Sequence, residues 1–231
     1  MAESAPHMSS KSALKPAGTR RVPQQERGVK TIEVILQAAG QEIERGGLAK
    51  LTTKRIATAA GLSVGGLYEY FPNKEAVVHA LASRWLEQIK DAIAAVHPAK
   101  TGCQDLVRYL TMVFEAVKPH YQQVPGVSGL ISVLSSVPEL QALEDEIDVQ
   151  VNGLLADAIA SLVPHVDAAQ CMTMARALTI LDHYLLIEAI LRDPANAALY
   201  DEHHRVCQYA LATNLMLMNE RARAAALAKQ P

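Results

Sequence analysis

The sequence predicts an all-α fold, and three observations carry that prediction. Apolar residues recur at helical spacing along most of the chain, with Ala and Leu abundant. The β-branched alternation of a half-buried strand is scarce. Pro and Gly fall at intervals rather than in blocks, so they separate helices instead of filling loops. At 231 residues, 50% of them hydrophobic, the chain can bury a sizeable core.

Three parts are predicted: an N-terminal arm at 1–25, a three-helix helix-turn-helix domain at 26–72, and a helical C-terminal domain at 73–231. The arm is Ser-, Pro-, Gly- and Ala-rich, has little to bury, and is predicted to be disordered. Its Lys11, Lys15, Arg20 and Arg21 face only Glu3, which fits either a basic strand lying along a polyanion or a solvated tail. A first helix is predicted from about Arg27 to Arg45, where Ile32, Ile35, Leu36, Ala39 and Ile43 share a face. Gly46-Gly47 ends it, and Leu48 and Leu51 tuck back towards the core.

Thr52 to Val78 organises the rest. Thr52 or Thr53 can cap a short helix whose apolar edge is Ile56, Ala57 and Ala60. Gly61 stands where the chain reverses and a left-handed backbone is favoured. Ser63 caps a second helix anchored by Leu67. The order Ala57, Gly61, Leu67 has the spacing of a DNA-binding helix-turn-helix. Tyr68, Tyr70 and Phe71 close that helix, Pro72 stops it, and Asn73 can cap the next, with Glu75 in its positive first turn.

The run Leu67-Tyr68-Glu69-Tyr70-Phe71-Pro72-Asn73-Lys74-Glu75, behind a Thr-initiated helix and a Gly turn, resembles the TetR-type regulators of bacteria. The resemblance covers roughly residues 30 to 90. It implies a homodimer that binds a palindromic operator, and beyond the motif it implies only helical topology.

Within the motif, Tyr68 and Lys74 are the best candidates for phosphate contact, because a phenol and an ammonium after the recognition helix fix register. Thr53 and Lys54 are candidate backbone contacts, beside the cap Ser63. The reading face holds Val64, Gly65 and Gly66, although each glycine costs about 1 kcal/mol against Ala in a helix. Such a face offers close backbone approach and a methyl contact, with Lys54 or Tyr70 placed to reach a base edge. Charge agrees with a polyanion partner: residues 1–90 hold 13 Lys and Arg against 8 Asp and Glu, and the remainder 9 against 16.

After Pro72 a long helix is predicted from Asn73 to His97, with Val77, Val78 and Leu81 facing the motif and Trp85, Ile89 and Ile93 further along. Then come helices from about Cys103 to Tyr121, after Pro125-Gly126 through Leu134, and from Pro138 to Pro164. The last two run from about Asp167 to Leu191 and Ala195 to Ala226. Both are apolar on more than one side, which a two-fold bundle between subunits would bury.

The expected partner of the C-terminal domain is a lipophilic small molecule in an apolar cavity with few polar anchors. Candidate lining residues are Trp85, Ile89, Leu110, Phe114, Val117, Tyr121, Leu134, Leu155, Ile159, Met174, Leu178, His183 and Tyr184. No cofactor or metal is expected. The three cysteines lack zinc or disulfide spacing, and His203-His204 are neighbours rather than one turn apart. Asp182 and His183 point about 100° apart on a helix and make no dyad, and no nucleophile elbow or phosphate loop occurs. No apolar run reaches the ~18 residues of a membrane helix, and the N-terminus lacks a secretory core, so a cytoplasmic protein is expected. The reading is a ligand-released repressor. Its alternatives are a constitutive DNA-binding dimer without a pocket and an all-α enzyme.

Overall fold

The structure is a computed structural model that describes residues 26–134 and 137–229. The arm at 1–25 lies outside the described residues. Every described regular element is helical.

Helix α1 (Glu26–Gly46) turns its Ile32, Ile35, Leu36, Ala39 and Ile43 inward. Helix α2 (Thr53–Ala59) starts at Thr52, whose hydroxyl accepts the Arg55 N–H at 3.2 Å. Gly61 adopts φ 68°, the left-handed conformation the reversal requires. Helix α3 (Val64–Tyr68) is capped by Ser63, which accepts the Gly66 N–H at 3.0 Å. Ile56, Ala57, Leu67 and Phe71 are fully buried, where α2 packs on α1 and α3 on α2.

Helix α4 (Lys74–Ala95) begins at Asn73, whose side chain accepts the Ala76 N–H at 2.8 Å. Its 22 residues span about 33 Å at 1.5 Å per residue. Val77, Val78 and Leu81 are buried near its start, where α4 packs on α1, while Trp85, Leu86, Ile89 and Ile93 join the C-terminal core. This one helix therefore packs on α1 and also on the later helices.

A short helix α5 (Pro98–Thr101), absent from the sequence expectation, follows. His97 caps it by accepting the Ala99 N–H at 3.2 Å. Helix α6 (Leu106–Gln122) starts three residues later than expected because Asp105, not Cys103, is its cap, accepting the Arg108 N–H at 2.7 Å. Helices α7 (Val127–Leu134) and α8 (Pro138–Leu162) match the Pro-Gly and Pro signals.

Helix α9 (Ala168–Ile187) is shorter than expected. A π-helical turn over Glu188–Arg192 closes it, with the Asp193 N–H reaching Glu188 at 2.8 Å. Helix α10 (Ala197–Leu227) runs across α6 and α9. In the single chain the last two helices keep apolar side chains outside: Ile180, Tyr184, Leu199, Val206, Tyr209 and Leu217 are all exposed.

Candidate functional site

Two regions collect the candidate residues. The first is the outer face of α2, α3 and the start of α4. Thr53 stands at the first position of α2 and Tyr68 at the last of α3, with their hydroxyls 3.4 Å apart. The pair ties the start of one motif helix to the end of the other. Tyr68 and Val64 are exposed at 40% and 38% of their surface, unusually open for an aromatic and a branched residue. Lys54 is exposed and Lys74 half-buried, and among the described residues neither has a carboxylate within ion-pair distance. Tyr70 is partly buried, packed against the hydrophobic core.

The two glycines of the reading face differ. A Cβ on Gly65 would meet nothing closer than the Ser63 hydroxyl at 3.9 Å. A Cβ on Gly66 would press on that hydroxyl at 3.2 Å, so Gly66 protects the cap. Gly65 therefore has no packing reason to be glycine and leaves bare backbone on the outside.

The sequence reading passed over the ion pair that holds α2 to α1. Arg55 donates from Nε to Glu42 at 2.7 Å, and Arg45 donates to the other carboxylate oxygen at 3.0 Å. The hydrogen-bonded Arg55 guanidinium keeps the Glu42 carboxyl below its ordinary range. The only signal was a Glu at a position continuing the apolar face of α1.

The second region is a cavity of about 410 Å³ among α4, α6, α7, α8 and α9. Of the candidates, Trp85, Ile89, Val117, Tyr121, Leu134, Leu155, His183 and Tyr184 line it. Leu110, Phe114, Ile159, Met174 and Leu178 do not. Ile159 and Leu178 close the core behind it, and Phe114 stacks on His204 with ring centres 3.7 Å apart. Periodicity alone could not divide the inner faces of these helices between solid core and cavity wall.

The lining also corrects the expectation of few polar anchors. Glu144, Asp148, Thr179, Asp182 and Arg192 all reach it. Burial, with the neighbouring carboxylates, pushes the Glu144 and Asp148 carboxyls up. Burial also raises Asp182, against the opposing pull of His204 Nε2 at 2.6 Å. His183 is lowered by burial, and its Nδ1 meets the Tyr121 hydroxyl at 2.7 Å. Asp182 and His183 thus serve different partners, as their angular separation requires. His203 is exposed and bonded to Leu199, whereas His204 is fully buried, so the two histidines share no site.

Residues 35–81 match the family model described as bacterial regulatory proteins, tetR family. A nucleoid occlusion factor SlmA from Shewanella frigidimarina is 30% identical over 125 residues, covering 51% of this chain and 58% of that protein. The chain thus matches little more than half of that relative's length. Among solved structures, a TetR-family transcriptional regulator from Syntrophomonas wolfei superposes with TM-score 0.67 at 14% identity, covering 80% of this chain and 96% of the other. GusR of Salmonella enterica gives 0.64 at 21%, covering 85% and 98%. The fold is therefore that of a helix-turn-helix domain on a helical body. Residues 35–81 therefore carry the DNA-binding domain of the tetR family of bacterial regulatory proteins, and the chain shares the fold of the TetR-family regulator it superposes on. Among the described residues no helix is long and apolar enough to cross a membrane.

Proposed function

We propose that this protein is a sequence-specific DNA-binding transcriptional regulator, a cytoplasmic homodimer that represses from a palindromic operator and is released by a small molecule. Residues 26–72 are the reading head, 73–231 carry dimerisation and the effector cavity, and 1–25 supply a basic arm. The carrying observation is the open face of α2, α3 and the start of α4. It joins the Thr53–Tyr68 hydroxyl pair, the Lys54 and Lys74 ammoniums and the bare Gly65 backbone on one side of a buried core. Hydroxyls and ammoniums at helix ends suit phosphates, and Val64 suits a thymine methyl. So few base-reading groups leave part of the specificity to DNA shape.

The dimer is supported by the apolar outer face of α9 and α10, and release by the cavity that Trp85 of α4 lines. Release requires an effector that binds the DNA-incompetent state more tightly. Asp182 and His183 of the cavity engage separate partners rather than converging on one reacting atom, which argues against a catalytic role.

A constitutive DNA-binding dimer is the second reading. The curated relative is named for nucleoid occlusion, not for a response to a small molecule. The ligand-sized cavity supports the sensor instead.

The test starts by selecting bound duplexes from random DNA with the full chain. The affinity of the best duplex is then measured against salt for Lys74→Ala and Tyr68→Ala. Both should bind more weakly, and Lys74→Ala should lower the salt slope by about 1. Unchanged affinity and slope in both variants would overturn the assignment.

A further inference from the structure

We propose that the cavity takes an organic cation: an apolar body against Trp85, Ile89 and Val117, and an ammonium or amidinium group at the Glu144 and Asp148 carboxylates. The inference rests on the cavity being the effector site and names the chemistry of its ligand.

The charge inventory of the lining is unequal. It holds three carboxylates, on Glu144, Asp148 and Asp182, and one permanent cation, Arg192. Arg192 is already engaged: it donates to Glu188 at 2.7 Å, and its side chain is largely exposed. Asp182 is engaged by His204. Glu144 and Asp148 are left, and among the described residues no Lys, Arg or His lies within ion-pair distance of either.

The two stand one helical turn apart on α8, so they crowd each other from the same side of the cavity. Ile147, Val151 and Leu155 of the same helix also line the cavity, and this apolar wall partly shields the half-buried Glu144 from water, while Asp148 stands exposed at the cavity's edge. A ligand cation relieves both the desolvation and the mutual repulsion. A ligand anion would add a further like charge. Trp85 and Tyr121, both buried in the lining, give a desolvated cation π-faces as well as carboxylates. The volume of about 410 Å³ sits inside the usual ligand range of roughly 300–1,000 Å³.

The experiment uses the full chain and three probes of matched length: octyltrimethylammonium, octanoate and octanol, titrated calorimetrically below their micelle concentrations. Octyltrimethylammonium should bind about tenfold or more tightly than octanoate, the scale of attraction between unlike charges against repulsion between like ones at a partly buried site. Glu144→Gln with Asp148→Asn should remove that preference while leaving octanol affinity unchanged, which also reports that the variant is folded. Equal or tighter binding of octanoate overturns the cation assignment alone, and so does a double variant that keeps the preference. If none of the three probes binds, the effector cavity itself fails, and the cation assignment with it.

Discussion

Gly40 and Gly126 meet backbone to backbone. A Cβ on Gly40 would stand 2.4 Å from the Pro125 carbonyl oxygen, and one on Gly126 would stand 2.6 Å from the Gly40 carbonyl oxygen. Next to them, a Cβ on Gly129 would run into Ile43 at 2.3 Å. Helix α1 is therefore seated on α7 as well as on the motif. Since α7 brings Ile131 and Leu134 to the cavity wall, the reading head is tied to the body twice, through α4 and through this seam.

Gly40→Ala should destabilise the protein by about 1–3 kcal/mol, because the obstacle is backbone and cannot rotate away. Gly65→Ala should behave in the opposite way. Its Cβ meets no obstacle, and the helix gains up to about 1 kcal/mol in propensity. The same methyl stands where the DNA backbone or a base edge would approach, so operator affinity should fall. Urea unfolding and anisotropy titrations on both variants separate the roles. Equal stability loss in the two would refute the distinction.

The motif was legible because each of its landmarks is local. Thr52, Gly61, Ser63 and Asn73 act on a backbone group within a few residues, so their order alone encodes the turn. The seam was not legible, since it joins residues 86 positions apart and glycines look alike as breakers or as contacts. The cavity was legible in part. Trp85, Tyr121 and His183 lie on inner faces, but Ile159 and Leu178 share that periodicity and sit in solid core. Glu144 and Asp148 could have been noticed as carboxylates within the apolar stripe from Leu140 through Ile147 to Val151.

The Glu42–Arg55 pair gives the reading head an acid limit. The Glu42 carboxyl is lowered from its ordinary 4.5 by its hydrogen bond to Arg55. A lowered carboxyl pKa stabilises the fold above the unfolded value, and that contribution is lost as pH falls through the folded value. Stability should therefore decline below about pH 4.5, and Glu42→Gln should flatten this part of the curve. A Glu42→Gln variant with the wild-type pH profile in thermal melts between pH 3 and 7 would exclude the pair as a source.

The outer face of α9 and α10 should be the dimer interface. Ile180 and Tyr184 on α9, with Val206, Tyr209 and Leu217 on α10, follow helical spacing and remain exposed in the single chain. A stable pairing should bury on the order of 2,000 Å² in total. Val206→Glu with Tyr209→Glu should give a monomer at micromolar concentration and weaken operator binding sharply, since each half-site is then held by one head. Sedimentation velocity decides it: a dimer that persists in this variant places the interface elsewhere.

Trp85 should report both events at once. It is the only tryptophan, is almost fully buried, and lines the cavity. Its indole N–H donates to the His120 carbonyl at 3.0 Å, and its ring meets Tyr121 edge-on with centres 5.3 Å apart. Tyr121 in turn holds His183. A ligand entering the cavity touches this chain of side chains, and Trp85 sits on the same helix whose first turn packs under the reading head. Binding free energies are reciprocal: if a ligand lowers operator affinity, the operator lowers ligand affinity by the same factor, typically about 5- to 150-fold. Trp85 emission should therefore shift when a cavity probe binds, and the probe titration should move to higher concentration in the presence of the selected DNA. Tyr121→Phe removes the hydroxyl that holds His183 but keeps the ring against Trp85. It should bind DNA normally and show a smaller coupling factor. Probe affinity that is the same with and without DNA would mean that α4 carries no signal, and the constitutive reading would then stand.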